Sequence, residues 1–433
     1  QPEYEFEIDE SNNIDLEIQV SDDYGLSDLW IEYSIIKPSY IESKDTNKYI
    51  YQINNLDTDA KIQIITHSWD ISSINLSPED EIHFTINASD NNMFSPNITI
   101  SKKMIGRYPT IEDLFQQMEE YEQNIDSQNE ELISNVDQVQ EIINEVKLDL
   151  LKSDEIGWDE KQEIDKAIEE MQNVFNQVED IQKAIEKMQE NAENNNLISD
   201  ELMQKYDDFQ DLLNEILTPE LLDAMESIQE LSQSSDLEEL LEQLNNFEDS
   251  LSDFEEQIDR FIDMFEQAIA EQKIDEVIKK IESMLNQQIN VLNKLDKENP
   301  DLLNLSSDER KIEEEYKNLQ DDLQDAMKSS DGASPSTSKM FEDLMGSELN
   351  ENTQNNIKES RESLSKQEKN IAQEESTQAK ENLSEMLEKS EKIKENFEEE
   401  TVNEMINEFL SVVNSILNIS RYQDDLSILS TGI

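Results

Sequence analysis

Two histidines, His67 and His83, and the loop acids Asp22, Asp23, Asp57, Asp59, Asp80 and Asp90 are where this chain could do chemistry. Imidazoles beside carboxylates can hold zinc. Neither histidine stands in a metal-ligand spacing, however, and each falls in an alternating stretch where an ordinary strand histidine is preferred. Calcium takes several oxygen ligands from acid-bearing loops, which makes Asp22, Asp23, Asp80 and Asp90 the candidate metal residues and Ca²⁺ the candidate ion. No Asp-x-Asp-x-Asp-Gly loop closed by Glu accompanies them, so Asx turns at strand ends are the competing reading. The chain has no cysteine and six glycines, which excludes disulfides, thiolate metal sites and a Gly-rich phosphate loop. Nucleophile–base pairs of the usual kind are nearly excluded as well. Paired carboxylates abound, but 104 acids make such proximity inevitable. No catalytic or cofactor-binding residue is assigned. Asn75, Asn87 and Asn97 match glycosylation acceptors at a frequency that an Asn-rich chain produces by chance.

The balance of 104 acids against 34 bases, a net charge of −70, repels phosphate backbones and anionic lipid head groups. It argues against nucleic acid as a partner and favours basic proteins, divalent cations or plain solubility. Apolar residues make up 35% and charged residues 32%, which suits elongated helical layers that bury one stripe each. No apolar run is long enough to span a bilayer, and no signal peptide is visible. Both ends read as cuts in a longer protein, leaving room for an N-terminal anchor.

The elements that would position these groups divide at about residue 107. In residues 1–107, Ile14, Leu16, Ile18 and Val20 alternate with Asp15, Glu17 and Gln19, as in a half-buried strand. Ser21 to Gly25 is a turn with a glycine free to take positive φ. Leu29, Ile31, Tyr33 and Ile35 alternate next, with Trp30 on the opposite face. Further strands are expected over 48–53, 60–68, 81–88 and 97–102. About seven strands in this length predict a β-sandwich of immunoglobulin or fibronectin type.

Residues 108–328 predict a multi-helix antiparallel or coiled-coil region. Ile164, Ile168, Met171, Phe175, Val178, Ile181, Ile185 and Met188 recur three or four apart and make one helical stripe. Leu251 to Ile269 and Ile274 to Leu292 make two more. Thr110 and Thr218-Pro219 are helix starts, Ser235–Glu238 and Ser306–Glu309 fit a capping box, and Gly157, Asn194–Asn196 and Asn299-Pro300 are breaks. Helices of some 20 to 40 residues follow. Residues 329–338 (Ser-Ser-Asp-Gly-Ala-Ser-Pro-Ser-Thr-Ser) read as a flexible linker. Residues 339–433 form a C-terminal helical segment: a polar helix over about 350–399, then a closing helix carrying Met405, Ile406, Phe409, Leu410, Val413, Ile416 and Leu417. The fold class is thus α+β and multidomain.

Two stretches carry a resemblance. Val20-Ser21-Asp22-Asp23-Tyr24-Gly25-Leu26-Ser27, Trp69-Asp70, Leu76-Ser77-Pro78-Glu79-Asp80-Glu81 and Ala88-Ser89-Asp90-Asn91 lead into Arg107-Tyr108-Pro109-Thr110-Ile111-Glu112-Asp113-Leu114-Phe115. Phe261–Phe265 and Glu271–Asp275 follow in the helices. Together they resemble the bacterial membrane-anchored proteins known as domain of unknown function 4175. The resemblance covers nearly the whole chain. It implies N-terminal transmembrane helices outside this sequence, an immunoglobulin-like segment and a long Glu/Gln-rich helical region on the extracytoplasmic side of the cell envelope. It brings no activity and no catalytic residue.

These observations favour a non-enzymatic scaffold or protein-interaction region of an envelope protein. The alternatives are a Ca²⁺-responsive binding module and an enzyme of unrecognised type with a carboxylate site. The paired Glu-x-x-His motifs that a carboxylate-rich bundle enzyme would carry are absent from the sequence.

Overall fold

The computed structural model describes the chain apart from residues 1–3, 9–11, 39–46, 55, 58–59, 75, 77–78, 93–95, 154, 234–235 and 432–433; side chains are described apart from these and from 215, 220 and 402–431. The chain is 70% helical, with a small mixed sheet domain at its N-terminus. The strands are β1 (Glu5–Glu7), β2 (Asn13–Ser21), β3 (Leu26–Ile36), β4 (Tyr49–Gln52), β5 (Ile62–Asp70), β6 (Glu81–Asp90), β7 (Ile98–Ile100) and β8 (Met104–Arg107). One sheet runs β1-β8-β6-β3-β4, with β7 also on β6, and a second pairs β2 with β5. The β1–β8 pairing is parallel and the others are antiparallel.

The expected alternation decides the core. Ile14, Leu16 and Ile18 of β2, Ile65 and Trp69 of β5, Leu29 and Ile31 of β3, and Ile82 and Phe84 of β6 form a single buried cluster fed by both sheets. Trp69 lies at its centre, with the rings of Tyr33, Phe84 and Tyr51 at 5.2, 5.4 and 5.7 Å. Gly25 takes φ 117° in the β2–β3 turn, as the turn chemistry requires. The periodicity missed β1 and β8, each too short for it. In β8, Gly106 lets Phe6, Ile8 and Ile82 close in: a Cβ there would stand 3.1 to 3.2 Å from all three. Ile82 is fully buried and cannot retreat. Gly106→Val is therefore expected to cost about 1–3 kcal/mol of overpacking, read as a lower melting point by the Trp30 and Trp69 fluorescence of a Trp158→Phe chain.

The helices are α1 (Ile111–Leu150), α2 (Trp158–Asn195), α3 (Asp200–Ile216), α4 (Pro219–Ser232), α5 (Leu237–Leu295), α6 (Leu302–Ala333), α7 (Pro335–Met345), α8 (Glu348–Ser365) and α9 (Lys369–Thr431). Thr110 and Asp113 cap α1 reciprocally, Thr110 Oγ1 accepting from Asp113 N and Asp113 Oδ2 from Thr110 N. Thr218 caps α4 ahead of Pro219 as expected. Ser235 lies outside the described residues, and Asp236 caps α5 through Glu239 N.

Three expectations are corrected. Residues 329–338 are no linker: α6 continues to Ala333, and α7 begins at Pro335 under a buried Ser334 cap. The Ser- and Gly-rich composition suggests a flexible linker, but a single non-helical residue, Ser334, turns the chain. Ser306–Glu309 does not start a helix, because Asp301 caps α6 and accepts from Asn304 N. The polar helix over 350–399 is broken at Lys366–Glu368, where Gln367 takes φ 63° without the Gly or Asn that usually marks that conformation. Beyond the break, α9 runs on as one helix through the expected start of the closing helix, whose side chains lie outside those described.

The chain forms two compact units. The first joins residues 1–120 with 190–197 and 286–300, so it extends beyond the expected boundary at 107. Inside it, Tyr108 Oη donates to Asn195 Oδ1 (2.8 Å) and Asn191 Nδ2 to Gln117 Oε1 (3.2 Å). The second unit holds residues 121–189, 198–285 and 301–433. Its α6, α8 and α9 bury positions at strict heptad spacing: Leu305, Glu309, Ile312, Tyr316, Leu319 and Leu323 on α6; Thr353, Ile357, Ser360 and Leu364 on α8; Ala372, Ser376, Ala379, Leu383, Met386 and Ser390 on α9. Six of these ten α8 and α9 positions are polar or alanine, which is why the sequence reads as a polar helix there. Ile371, the first isoleucine of α9, is exposed.

Candidate functional site

In the second unit, α5 is buried on every side between Ala268 and Ile281, and that stretch includes Glu271, Gln272, Asp275, Glu276 and Lys280. Ionised side chains do not enter an interior unless each meets a partner. Glu271 and Asp275, one turn apart, share a face and take those partners from two other helices. Lys205 Nζ of α3 lies 2.5 Å from Glu271 Oε2. Lys394 of α9 pairs with Asp275 Oδ1 and stands 3.9 Å from Glu271 Oε1. The Ser199 backbone N–H, at the cap of α3, donates to Asp275 Oδ2 (3.0 Å). Tyr206 Oη donates to Gln272 Oε1 (2.6 Å). On neighbouring faces, Lys273 stands 3.5 Å from Glu122 of α1, and Lys280 joins Glu276 (2.8 Å) to Asp322 of α6 (2.9 Å).

The layer is rich in acid. Burial, with Glu122, Glu271 and Asp275 adding to it, pushes the Tyr206 hydroxyl well above its ordinary range, so it stays a neutral donor. Burial raises Glu398 too; Lys394 opposes the shift, while Glu271, Glu201 and Asp275 add to it. Chemically, the arrangement matches cations to carboxylates across α1, α3, α5, α6 and α9 and fixes their axial register. A five-residue step between Ile269 and Ile274 was the one sequence signal for it. In the sequence the step separates two stripes, but α5 runs through unbroken, so the step marks a change of buried face.

A second buried polar layer lies between α6, α8 and α9. Glu309 Oε1 accepts from Ser360 Oγ (2.5 Å) and Ser376 Oγ (2.8 Å). Near it, Tyr316 Oη donates to Asn350 Oδ1 (2.5 Å), with its pKa raised by burial. Replacing Ser360 and Ser376 by Ala removes two donors from a buried carboxylate. The expected loss is about 1–3 kcal/mol in urea unfolding, largely recovered when Glu309→Leu is added. An open groove of about 430 Å³ on the α8–α9 face is lined by amides and acids. There Asn356 Nδ2 donates to Glu375 Oε2 (2.7 Å) and Asn382 Nδ2 to Asn356 Oδ1 (3.0 Å).

The candidate metal residues do not share one place. Asp22 Oδ1 accepts from Tyr24 N and Gly25 N (2.8 and 2.9 Å), an Asx turn. Asp90 Oδ1 accepts from Asn92 N and Asn97 N, and its Oδ2 from Asn97 Nδ2 (2.6 Å). The Asn97 side chain, and then its backbone, hold the Asp90 carboxyl below its ordinary range. These two turns are neighbours: Asn91 N donates to Gly25 O, and Asn91 Nδ2 to Tyr24 O. Asp23 is exposed beside them. Asp80 stands apart at the other end of β6, fully buried, 2.5 Å from Lys37 Nζ. The strand between Asp80 and Asp90 separates them by about 30 Å, so the four cannot ligate one ion. Asp59 and Asn75 lie outside the described residues. Asn87 is buried and out of reach of glycosylation.

His67 faces the Tyr51 ring at 5.6 Å on β5, and His83 Nε2 lies 2.6 Å from Glu81 Oε2 on β6. The two histidines sit on different sheets. Among the described residues, no group of three or more His, Asp or Glu side chains is arranged to hold a metal ion. No helix is long and apolar enough to cross a membrane among those residues. No protein-family model, curated protein or solved structure matches the chain.

Proposed function

We propose that this chain is a non-enzymatic scaffold or protein-interaction region: an immunoglobulin-like β-sandwich head joined to a helical body of antiparallel, coiled-coil-like packing. The observation that carries the reading is where the charges go. Four lysines, Lys205, Lys273, Lys280 and Lys394, are engaged with α5 or its neighbours in the buried layer, where they hold helix to helix. The layer takes in these lysines together with their acids, so nearly all of the −70 net charge of the chain is left to the rest of its surface. Such a surface suits basic protein partners, which it attracts at long range. The two sheets feeding one core support the sandwich, and the heptad spacing in α6, α8 and α9 supports the coiled-coil comparison. The envelope location and the membrane anchor rest on the resemblance of the Asp22, Asp90 and Arg107–Phe115 stretches.

Site-specific photo-crosslinkers at exposed body positions such as Glu141, Glu169 and Glu381, introduced in the native host, test this. A small set of discrete protein adducts at body positions is the expected result. A chain that gives no adduct anywhere, yet shows a turnover activity abolished by Glu271→Gln, would sink the proposal.

A further inference from the structure

The turn between α1 and α2 exposes three large apolar side chains that the fold does not use. Leu148, Leu151 and Trp158 are 56%, 68% and 70% exposed within eleven residues of sequence. The buried stripe of α1 runs through Ile142, Ile143, Val146 and Leu150, and Leu148 and Leu151 lie off it. Trp158 opens α2, a position where a helix favours small, acidic or Pro residues. Elsewhere on α1 and α2 the exposed positions are almost all Glu, Gln, Asn, Asp or Lys. The turn is a built one. Leu151 N donates to Lys147 O, Lys152 N to Asp149 O and Ser153 N to Leu150 O, and Ser153 Oγ donates to Glu155 O.

Beside these apolar groups in sequence stand Glu155, Asp159 and Glu160 against Lys161, while Lys147 pairs with Glu248 and Lys152 with Asp149, so acids outnumber the cations left over. An apolar centre with an acidic rim is the layout of a protein-binding hot spot, in which Trp is the most favoured anchor. Charge selects the occupant. A second copy of this chain would bring acid against acid, and an anionic bilayer would be repelled in the same way.

We infer that the Leu148–Leu151–Trp158 tip docks into a partner protein that offers an apolar pocket ringed by Lys and Arg. The inference rests on the reading of the chain as an interaction protein and names the surface and the partner chemistry. The test uses the full chain and a synthetic amphipathic helical peptide with one Leu face and one Lys face as the probe. Trp158 emission is taken as the difference from the Trp158→Phe chain. A saturable blue shift is expected, with affinity about tenfold or more weaker in Leu148→Ser/Leu151→Ser and melting unchanged, since both leucines are exposed. Equal affinity in that variant would assign the binding to the acidic surface at large and overturn the inference. So would no shift at all, a shift with phosphatidylcholine vesicles in place of the peptide, or a doubled mass of the chain alone. Cross-links that persist at Glu141, Glu169 or Glu381 while the tip fails would leave the interaction reading standing without this surface.

Discussion

Lys394→Met is expected to lower the unfolding free energy by about 3–5 kcal/mol, because it leaves Asp275 and Glu271 buried with one shared cation gone. The Lys394 side chain is 12% exposed, and those of its two acids are 7% and 0% exposed. Methionine keeps the aliphatic stem, so the loss reports charge rather than packing. Asp275 would retain the Ser199 N–H and Glu271 would retain Lys205, neither of which replaces the ammonium between them. Lys392 is the internal control. It lies on the same helix, 59% exposed, paired with Glu388 at 66%, and Lys392→Met should leave the unfolding midpoint nearly unchanged. Adding Asp275→Asn to Lys394→Met should recover part of the loss, a coupling that urea unfolding of the two single variants and the double variant resolves. Equal, small effects at both lysines would mean that the layer is wetter and less decisive than its geometry implies.

The second large effect is a stability of the helical body that rises before it falls on acidification, while that of the head only falls. In the helical body, burial raises the Asp126 carboxyl, with Glu266 and Glu130 adding to it, and Glu398 is raised as described. A carboxyl raised in the folded state takes up its proton while the unfolded chain is still ionised. Stability therefore increases as pH falls through the folded value and is fully gained below the ordinary one. The net charge of −70 pushes the same way, since each proton relieves self-repulsion.

The head behaves differently. The Ser72 hydroxyl, and then its backbone N–H, hold Asp70 low, and Asn97 holds Asp90 low. Burial works to raise Glu81, but hydrogen bonds from His83 and Arg107 leave it lowered on balance. A lowered carboxyl contributes stability that is present above the ordinary value and lost as pH falls through the folded one. Between about pH 7 and 5, melting of the helices by circular dichroism should rise by a few degrees, while the Trp30 and Trp69 fluorescence of the head in a Trp158→Phe chain stays level. Below about pH 4 the head should lose stability, and the body should begin to lose it as well, because Glu313, Glu388 and Glu400 are also held low. Molar NaCl at neutral pH should reproduce the gain by screening. Parallel losses by both probes from neutral pH downward would contradict the raised carboxyls of the body.

Much of this architecture was legible residue by residue. Ile14, Leu16 and Ile18 alternate because a pleated strand buries every second side chain, and they are core residues. Gly25, Thr110 and Thr218 announced their turn and caps because those conformations depend on a few adjacent atoms. The stripe from Ile164 to Met188 needed only the helical period. What periodicity could not supply was the fate of polar residues. Ser334 reads as linker and Glu309 as part of a capping box, and Ser360 and Ser376 fall outside any apolar pattern, yet all four are buried. The break at Gln367 carries no local signal either, since a left-handed glutamine is held only by its surroundings.

The candidate site was less legible still. Glu271, Gln272 and Asp275 look like any acidic helix face until α3 and α9 bring Lys205, Tyr206 and Lys394 to them from 66 to 119 residues away in sequence. By itself, the sequence determined the strand and helix periods, the caps that depend on neighbouring residues, and the acid excess, because all of these are local or additive. Tertiary structure alone decided which charges are buried, which acids share a place, and which leucines are left in solvent. Burial and pairing depend on what other segments deliver to the same point in space.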